Sequence, residues 1–271
     1  MQSIPPFEFG GKRVKGILPK KSSDYPLVTV VTVVFNASST LEATIQSVLN
    51  QTYENIEYII IDGGSTDGTR DIIRKYEDQV DYWLSRPDKG VYDAMNSGIK
   101  LSTGEWLNFL NANDVFFDST VLERLAASYL RETARFIYSD VMLKTRCNTV
   151  IRHACNHETL TLNHQSSVYR KNLHDELGMY IVAPGLTISD YFFFSLIRKA
   201  DFLKADRPIA IYDTTGLSQS QRSVEQKFIT DYLINGLPKA KFLLNFSFYY
   251  YYRNAKSAIG HCWCKITKRS V

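Results

Sequence analysis

The chain has 271 residues, of which 44% are hydrophobic and 22% are charged, and its formal net charge at pH 7 is only +4. These values are typical of a globular protein with a substantial core and exclude wholesale disorder. Such a weak net charge does not indicate a polyanionic partner, and no nucleic-acid-binding motif is present, so we predict no nucleic-acid partner.

Signals for export and for membrane insertion are missing from the sequence. Residues 1–30 lack an apolar segment of signal-peptide length, and no run of about 18 apolar residues occurs anywhere. We therefore predict a cytoplasmic protein. Neither a zinc site nor a disulfide framework is indicated by the spacing of the four cysteines, Cys147, Cys155, Cys262 and Cys264.

In chain order, residues 1–26 are predicted to form an irregular basic arm. They are rich in proline, glycine and lysine, and they show no sustained apolar period. The run LVTVVTVVF over residues 27–35 is apolar and β-branched, which is typical of a strand buried on both faces of a parallel sheet. Apolar residues at spacings of three and four then predict a helix beginning near Leu41.

Strands and helices continue to alternate along the chain. Further strands are predicted over 56–61, 80–85, 106–110 and 136–143, and further helices over 70–76, 94–100, 121–130, 191–199 and 224–233. This alternation is typical of an α/β, Rossmann-like fold, with a mostly parallel central sheet flanked by helices. Ligands of such folds bind beyond the carboxyl ends of the strands.

Three polar segments follow predicted strands at that edge of the sheet. In the first, DGGSTDG from Asp62, the aspartate could accept hydrogen bonds from a base or ribose, and the glycines allow close approach of a ligand. The alternative is a helix-capping turn. In the second, RPDKGVYDAMNSG, Arg86 or Lys89 could neutralise a diphosphate, the alternative being a solvated loop.

The third segment, NFLNAND, ends at Asp114 and places several oxygen-bearing side chains directly after a strand. Such ligands suit Mg²⁺ or Mn²⁺ bridging a diphosphate. An Asx turn is the alternative.

Together the three segments resemble the family 2 glycosyltransferases, which have the GT-A fold. The resemblance covers about Val28 to Leu125 and is carried by VTVVTVVFNASSTLEATIQSVLNQTYENIEYIIIDGGSTDGT, RPDKGVYDAMNSGI and STGEWLNFLNAND. It implies transfer of a sugar from a nucleoside-diphosphate sugar to an acceptor hydroxyl. The second segment most resembles a colanic-acid-type subgroup of bacterial surface-polysaccharide assembly, whose acceptors are often lipid-linked.

The resemblance also implies roles for single residues. It assigns binding of the nucleotide sugar to Thr32, Phe35, Asn36, Asp62, Gly64, Arg86, Lys89, Asn96, Asn111, Asn113 and His164. It makes Asp114 the ligand of a Mn²⁺ or Mg²⁺ cofactor. Asn113 departs from the family pattern, which usually has an aspartate there, and a neutral amide binds a divalent ion less well. This departure leaves a catalytically degenerate nucleotide-sugar-binding protein as the alternative function.

The same resemblance makes Asp190, in the segment SDYFF, the general base. A carboxylate within hydrogen-bond reach takes the proton of the acceptor hydroxyl as the new glycosidic bond forms, and a single displacement inverts the anomeric configuration. The alternative for Asp190 is a helix N-cap, and the alternative for His164 is a structural histidine. Residues 216–218 resemble a glycine-serine turn near the donor phosphates.

The predicted domains are a catalytic domain over 27–235 and a C-terminal helical extension over 236–271. Residues 27–125 form the nucleotide-binding half of the catalytic domain, and 126–235 form its acceptor half. The extension is basic and aromatic, and no acidic residue follows Asp231. Such a composition suits the headgroup layer of an anionic membrane, so we predict peripheral contact with the cytoplasmic face of the inner membrane. A helix packed on the catalytic domain is the alternative.

Overall fold

The computed structural model describes residues 7–19, 25–145, 149–213, 221–234, 236–245 and 247. The chain divides into two compact units, residues 1–216 and 217–271. The strands are β1 (Glu8–Gly10), β2 (Val28–Val34), β3 (Ile56–Asp62), β4 (Tyr82–Ser85), β5 (Trp106–Phe109), β6 (Val115–Phe116), β7 (Phe136–Tyr138), β8 (Val141–Lys144), β9 (Val150–His153), β10 (Ser167–Arg170), β11 (Phe202–Lys204) and β12 (Ala210–Asp213). The α-helices are α1 (Leu41–Leu49), α2 (Thr69–Lys75), α3 (Val91–Leu101), α4 (Val121–Ser128), α5 (Leu173–Leu177), α6 (Ser189–Ser195) and α7 (Gln221–Leu233).

The main sheet has eight strands in the order β1-β4-β3-β2-β5-β10-β7-β11. Strands β4, β3, β2 and β5 run parallel to one another, whereas β10 is antiparallel to both β5 and β7. At the far end, β11 is parallel to β7, and at the near end β1 is antiparallel to β4. The predicted α/β fold with a mostly parallel sheet is confirmed.

Strand β2 is buried along its whole length, as its apolar run predicted. Its alternate side chains face two separate clusters on opposite sides of the sheet. Val28 and Val30 belong to the cluster that contains Ile45 of α1, and Val31 belongs to the cluster that contains Met95 of α3. Helices therefore cover both faces of the sheet, and the polar segments that follow its strands are left at its edge.

A second, smaller sheet has the strand order β6-β12-β8-β9. Strand β12 is parallel to β8 and antiparallel to β6, and β8 and β9 form an antiparallel pair. Because β6 follows directly on the third polar segment, this sheet brings the end of β12 to that segment.

The N-terminal arm is not irregular throughout, contrary to the prediction for residues 1–26. Strand β1 extends the main sheet, and a 3₁₀ turn follows at Lys12–Lys15. The guanidinium of Arg13 in that turn donates to the Glu57 carboxylate at 2.7 Å and to the Leu101 carbonyl at 2.7 Å. The composition of this arm favours a loop. Two contacts nevertheless order it, namely the pairing of β1 with β4 and the bond of Arg13 to the buried Glu57 carboxylate.

Two predicted elements in the second half of the chain have different bounds in the structure. The strand predicted over 136–143 is broken at Ser139–Asp140 and contributes β7 to the main sheet and β8 to the small one. The helix predicted over 191–199 begins earlier and ends at Ser195, as α6. A short 3₁₀ turn at Lys199–Asp201 replaces its last turn.

The second unit contains α7 and a helical stretch over residues 239–245. The rings of Tyr232 and Phe242 stack within it at 4.8 Å. In the part of the chain that the structure describes, no helix has both the length and the apolar character needed to span a membrane. Several predicted features lie outside the described residues, namely the 216–218 turn and the tail aromatics Phe246, Phe248, Tyr249, Tyr250, Tyr251, Tyr252 and Trp263.

Candidate active site

The three polar segments meet at the carboxyl edge of the main sheet, where backbone hydrogen bonds join them. The N–H of Gly63 donates to the Val34 carbonyl at 2.9 Å, and the N–H of Ala112 donates to the Val33 carbonyl at 3.2 Å. The N–H of Arg86 donates to the Asp62 carbonyl at 3.0 Å. The ends of β2, β3, β4 and β5 therefore form one continuous polar surface.

Asp62 closes the glycine-rich turn from within and is 0% exposed. Its carboxylate accepts from the hydroxyls of Ser85 at 2.6 Å and Ser65 at 2.5 Å, and from the N–H groups of Ser65 at 3.0 Å and Gly64 at 3.2 Å. The sequence predicted that Asp62 contacts the nucleoside, whereas in the structure it shapes the turn. A ligand would have to displace one of these four donors to reach it.

Gly64 is required at its position in this turn. Its φ is +85°, and a Cβ there would lie 3.1 Å from the nitrogen of Pro87. Only glycine adopts this conformation without strain and allows the first and second polar segments to approach so closely.

Phe35 and Asn36 directly follow β2 and lie beside the same turn. Phe35 is 64% exposed, and a Cβ on Gly63 would lie 3.3 Å from its ring. Asn36 has a positive φ of 48°, and its Oδ1 accepts from the N–H of Thr66 at 2.8 Å. Asn36 thus fixes the turn, while Phe35 offers an exposed aromatic face on which a base could stack.

Two of the predicted nucleotide-binding residues point away from this surface. Thr32 is 0% exposed, and its hydroxyl lies 3.0 Å from the buried Tyr58 hydroxyl. The amide of Asn96 is used at both ends by the backbone of Tyr180, since its Nδ2 donates to the carbonyl at 2.8 Å and its Oδ1 accepts from the N–H at 3.0 Å. Both side chains are buried and hydrogen-bonded within the fold, so the structure gives them structural roles, contrary to the predicted contacts with the nucleotide sugar.

The second polar segment presents both charge signs beside the turn. Arg86 is half-buried and donates to the Ser97 hydroxyl at 3.0 Å, and Lys89 is exposed. Asp88, which the sequence did not single out, lies so close to Gly63 that a Cβ there would be 2.7 Å from its Oδ2. Burial, together with the neighbouring carboxylates of Asp93 and Asp62, raises the pKa of Asp88.

Asp114, the predicted metal ligand, is buried at 3% exposure. Its Oδ2 accepts from the Gln165 amide at 2.9 Å, and its Oδ1 accepts from the N–H of Asp213 at the end of β12, at 3.0 Å. The Thr44 hydroxyl donates to the Asp114 carbonyl at 2.9 Å. Burial raises the pKa of Asp114 to about 7, so the free carboxyl is only partly ionised at neutral pH.

Asn113 is exposed and has a positive φ of 91°. Asparagine is one of the few residues with a Cβ that enter this region readily. The backbone at position 113 therefore suits asparagine, and it would equally suit the aspartate that the family pattern usually has there.

Asn111, His164, Asp190 and Tyr92 form a continuous hydrogen-bonded network. The Asn111 Nδ2 lies 2.9 Å from His164 Nε2, and His164 Nδ1 lies 2.7 Å from Asp190 Oδ2. The Tyr92 hydroxyl donates to Asp190 Oδ1 at 2.7 Å, and the N–H of Tyr191 donates to the same oxygen at 2.9 Å. The network links the second and third polar segments to the residue predicted as the base.

Asp190 is not an N-cap, which was the alternative for this residue. It is the second residue of α6, whose N-cap position is Ile188 and carries no side-chain capping bond. Both of its carboxylate oxygens are engaged by side chains from elsewhere in the fold, Tyr92 on α3 and His164 ahead of β10.

An aromatic cluster supports the start of α6. The ring of His174 stacks on Phe193 of α6 at 4.3 Å, and the Tyr169 hydroxyl lies 3.0 Å from His174 Nε2 and 2.8 Å from the Tyr180 hydroxyl. The N–H of Ile181 donates to the Ser189 hydroxyl at 2.6 Å. Burial lowers the pKa of His174 to about 4, so the ring is neutral at pH 7.

The sequence reasoning missed four residues that hold the site together, Thr44, Tyr92, Gln165 and Asp213. Tyr92 lies within the second polar segment and Gln165 follows His164, so position was a signal for these two. Thr44 and Asp213 gave none, because one lies inside α1 and the other is 99 residues from its partner Asp114.

Comparison with known proteins identifies the family and the fold of the chain. The chain matches the family model described as Glycosyl transferase family 2 over residues 29–202. A PGL/p-HBAD biosynthesis glycosyltransferase of Mycobacterium tuberculosis is 33% identical over 163 residues, which cover 57% of this chain and 63% of that protein. UDP-Glc:alpha-D-GlcNAc-diphosphoundecaprenol beta-1,3-glucosyltransferase WfaP of Escherichia coli is 33% identical over 114 residues, 42% of this chain and 44% of the relative. The chain thus spans less than two thirds of the length of either relative.

Solved structures with the same fold include S. aureus TarS 1-349 in complex with UDP, at a TM-score of 0.56 and 17% identity over 69% of this chain and 60% of that one. The mannosyltransferase PcManGT from Pyrobaculum calidifontis, in complex with GDP-Man and Mn²⁺, aligns with a TM-score of 0.56 at 15% identity, over 74% of this chain and 61% of that one. At such identities the likeness concerns the fold, which is that of the GT-A glycosyltransferases.

Proposed function

Because the chain belongs to glycosyltransferase family 2 and has its fold, we propose that it transfers a sugar, with inversion, from a nucleoside-diphosphate sugar to a hydroxyl of a lipid-linked glycan. Relatives support the class of substrate. The name of WfaP specifies a UDP-glucose donor and a diphosphoundecaprenol-linked acceptor. We place the reaction in the assembly of a bacterial surface polysaccharide.

The observation that carries this proposal is the position of the Asp190 carboxylate. The Asp190 side chain is 20% exposed, and its hydrogen-bonded network reaches Asn111, two residues after β5. A carboxylate at such a point can take the proton of an acceptor hydroxyl while the hydroxyl oxygen attacks the anomeric carbon. The bond to the diphosphate breaks on the opposite face of the sugar, so one displacement inverts the configuration.

The donor side of the site is proposed to use residues that remain available at the surface. Phe35 would stack on the base, Asn113 would bond a ribose hydroxyl, and Arg86 and Lys89 would neutralise the diphosphate. Asp62 and Gly64 would act through the shape of the turn that receives the nucleoside. These roles are consistent with the exposure of Phe35, Lys89 and Asn113.

The oxygen atoms near Asp114 suit a divalent cation. Each carboxylate oxygen of Asp114 accepts one N–H and keeps a lone pair, and Asn111 Oδ1 is buried with no hydrogen-bond partner among the described residues. Within those residues no group of three or more His, Cys, Asp or Glu side chains could hold an ion. Mg²⁺ and Mn²⁺ can be held by one or two carboxylates together with substrate phosphates and water. When bound, the ion would offset negative charge on the leaving diphosphate.

The C-terminal residues 236–271 are proposed to hold the protein at the membrane surface, where a lipid-linked acceptor lies. The support is their basic and aromatic composition. Deletion of residues 239–271 is expected to release the protein from the membrane fraction. Sedimentation with membranes that is unchanged by the deletion would refute this part of the proposal.

The first test is the thermal stability of the protein with UDP, GDP, dTDP or CMP, each in Mn²⁺ and in EDTA. A ligand that binds only the folded state at a hundredfold excess over its Kd stabilises it by ~2.7 kcal/mol. We expect one nucleoside diphosphate to raise the Tm, and to do so only with metal. A nucleotide that stabilises the protein without any sugar transfer would favour the degenerate binding protein, and no shift with any nucleotide would contradict the proposed donor site.

A further inference from the structure

Both nitrogens of the His164 ring already have partners inside the site. Nδ1 lies 2.7 Å from Asp190 Oδ2, and Nε2 lies 2.9 Å from Asn111 Nδ2. The Asn111 Nδ2 can only donate, so His164 Nε2 accepts. The ring proton is therefore on Nδ1, which donates to Asp190. In this arrangement no lone pair or N–H of the ring is left for a phosphate, a metal ion or a sugar.

We infer that His164 is a positioning residue that, together with Tyr92, holds the Asp190 carboxylate in its catalytic orientation, and that it is not a contact to the nucleotide sugar. The inference rests on the proposed function, in which Asp190 is the base. It also replaces the assignment of His164 that the family resemblance implied.

The two donors act on different oxygens of the carboxylate, which determines what they do. Tyr92 binds Oδ1 and His164 binds Oδ2, both at 2.7 Å. A carboxylate bonded at one oxygen can still rotate about its Cβ–Cγ bond, whereas bonds at both oxygens fix its plane. A fixed plane sets the direction in which the carboxylate meets the acceptor hydroxyl, and loss of such orientation can cost about 100-fold in rate.

The donors themselves are held in place. The His164 side chain is 12% exposed, and the neighbouring Gln165 is tied to the buried Asp114 at 2.9 Å. Tyr92 is 6% exposed, and its ring packs on that of Tyr180 at 5.7 Å. Rigid donors of this kind restrain the orientation of the carboxylate.

The test compares His164→Ala with His164→Asn. The Asn amide nitrogen can take the place of Nδ1 and donate to Asp190, whereas Ala removes the donor. We expect His164→Ala to lower kcat about 10- to 100-fold and to leave unchanged the Kd of the stabilising nucleoside diphosphate with Mn²⁺. His164→Asn should recover most of the lost kcat, and His153→Ala, an exposed histidine on β9, should match the wild type.

Two outcomes would overturn the inference. If His164→Ala weakens nucleotide binding by the same factor as it lowers kcat, the histidine contacts the nucleotide sugar. If both His164 variants keep wild-type kcat, it does not position the base.

The pairing can also be measured without turnover, by the ¹⁵N-resolved NMR signals of the histidine rings. The wild type should show His164 protonated at Nδ1, with a proton resonance that moves in Tyr92→Phe, which alters the shared carboxylate. A ring protonated at Nε2 alone would overturn the inference. An intact Nδ1 signal in a wild-type protein that transfers no sugar would instead refute the proposed function, while the pair itself would stand.

Discussion

Two sites of the first unit, the glycine-rich turn around Asp62 and the network around Asp190, hold their carboxylates in different ways. In the turn, Asp62 takes three of its four hydrogen bonds from Gly64 and Ser65, two and three residues along the chain. In the network, Asp190 is held by Tyr92, 98 residues away, and by His164, 26 residues away. A local turn can keep its shape when other parts move, whereas a long-range network depends on every element that supplies a donor.

Under the proposed function, this difference predicts separate effects of mutation at the two sites. Changes to the turn should alter affinity for the nucleotide, because the turn is proposed to receive the nucleoside. Changes to the network should alter turnover, because the network orients the carboxylate that is proposed as the base.

The largest effect is expected for Asp190→Asn. The amide has no basic oxygen for the acceptor proton, so kcat should fall by about 10² to 10⁴, while the Kd of the nucleoside diphosphate stays at its wild-type value. Initial rates of sugar transfer and calorimetric binding measure the two quantities. Asp175→Asn, at an exposed aspartate of α5, is the control. A variant that retains wild-type kcat would remove Asp190 from the chemistry.

Asp62→Ala should lower the stability of the turn and the affinity for the nucleotide. It leaves several buried donors without an acceptor, and each unsatisfied donor costs about 1–3 kcal/mol. We expect a lower Tm and a nucleotide Kd that is raised at least about tenfold, roughly 1.4 kcal/mol. Asp67→Ala, at an exposed aspartate of the same turn, should have a smaller effect on both. Unchanged nucleotide affinity in a folded Asp62→Ala protein would show that the turn does not form the donor site.

Phe35→Ala tests the exposed ring without disturbing the turn. Stacking of a base on an aromatic ring contributes about 1–3 kcal/mol, so we expect nucleotide affinity to fall about tenfold with little change in Tm. Phe7, which is 62% exposed against 64% for Phe35, provides the matched control Phe7→Ala. Equal affinities for the two variants would mean that Phe35 is an ordinary exposed side chain.

The smallest effect should appear in the pH dependence of stability. Burial lowers the pKa of His174 from 6.5 to about 4, so protonation favours the unfolded chain. The corresponding stability is present above pH 6.5 and is lost as the pH falls toward 4. In His174→Gln this dependence is absent, so the Tm difference between the wild type and the variant should shrink over that range. A difference that stays constant with pH would show that His174 does not titrate there.

The parallel core could be predicted from the sequence because its signals are short-range. Strands such as β2 are buried on both faces and read as continuous apolar runs, and the polar segments follow them at once. The arm was predicted wrongly because the order of β1 comes from its partner β4 and not from its own composition. The strand expected over 136–143 was split because its two halves pair in different sheets.

The sequence by itself determined the α/β fold, the family, and the segments from which the candidate site is built. Only the tertiary structure decided which of their side chains are buried and which are exposed at the edge of the sheet. It turned Thr32 and Asn96 inward, closed the turn around Asp62 and placed Tyr92 and His164 on either side of Asp190. The physical reason is that the direction of a polar side chain depends on which donors and acceptors the fold brings within about 3 Å of it. Most of those partners lie far away along the chain.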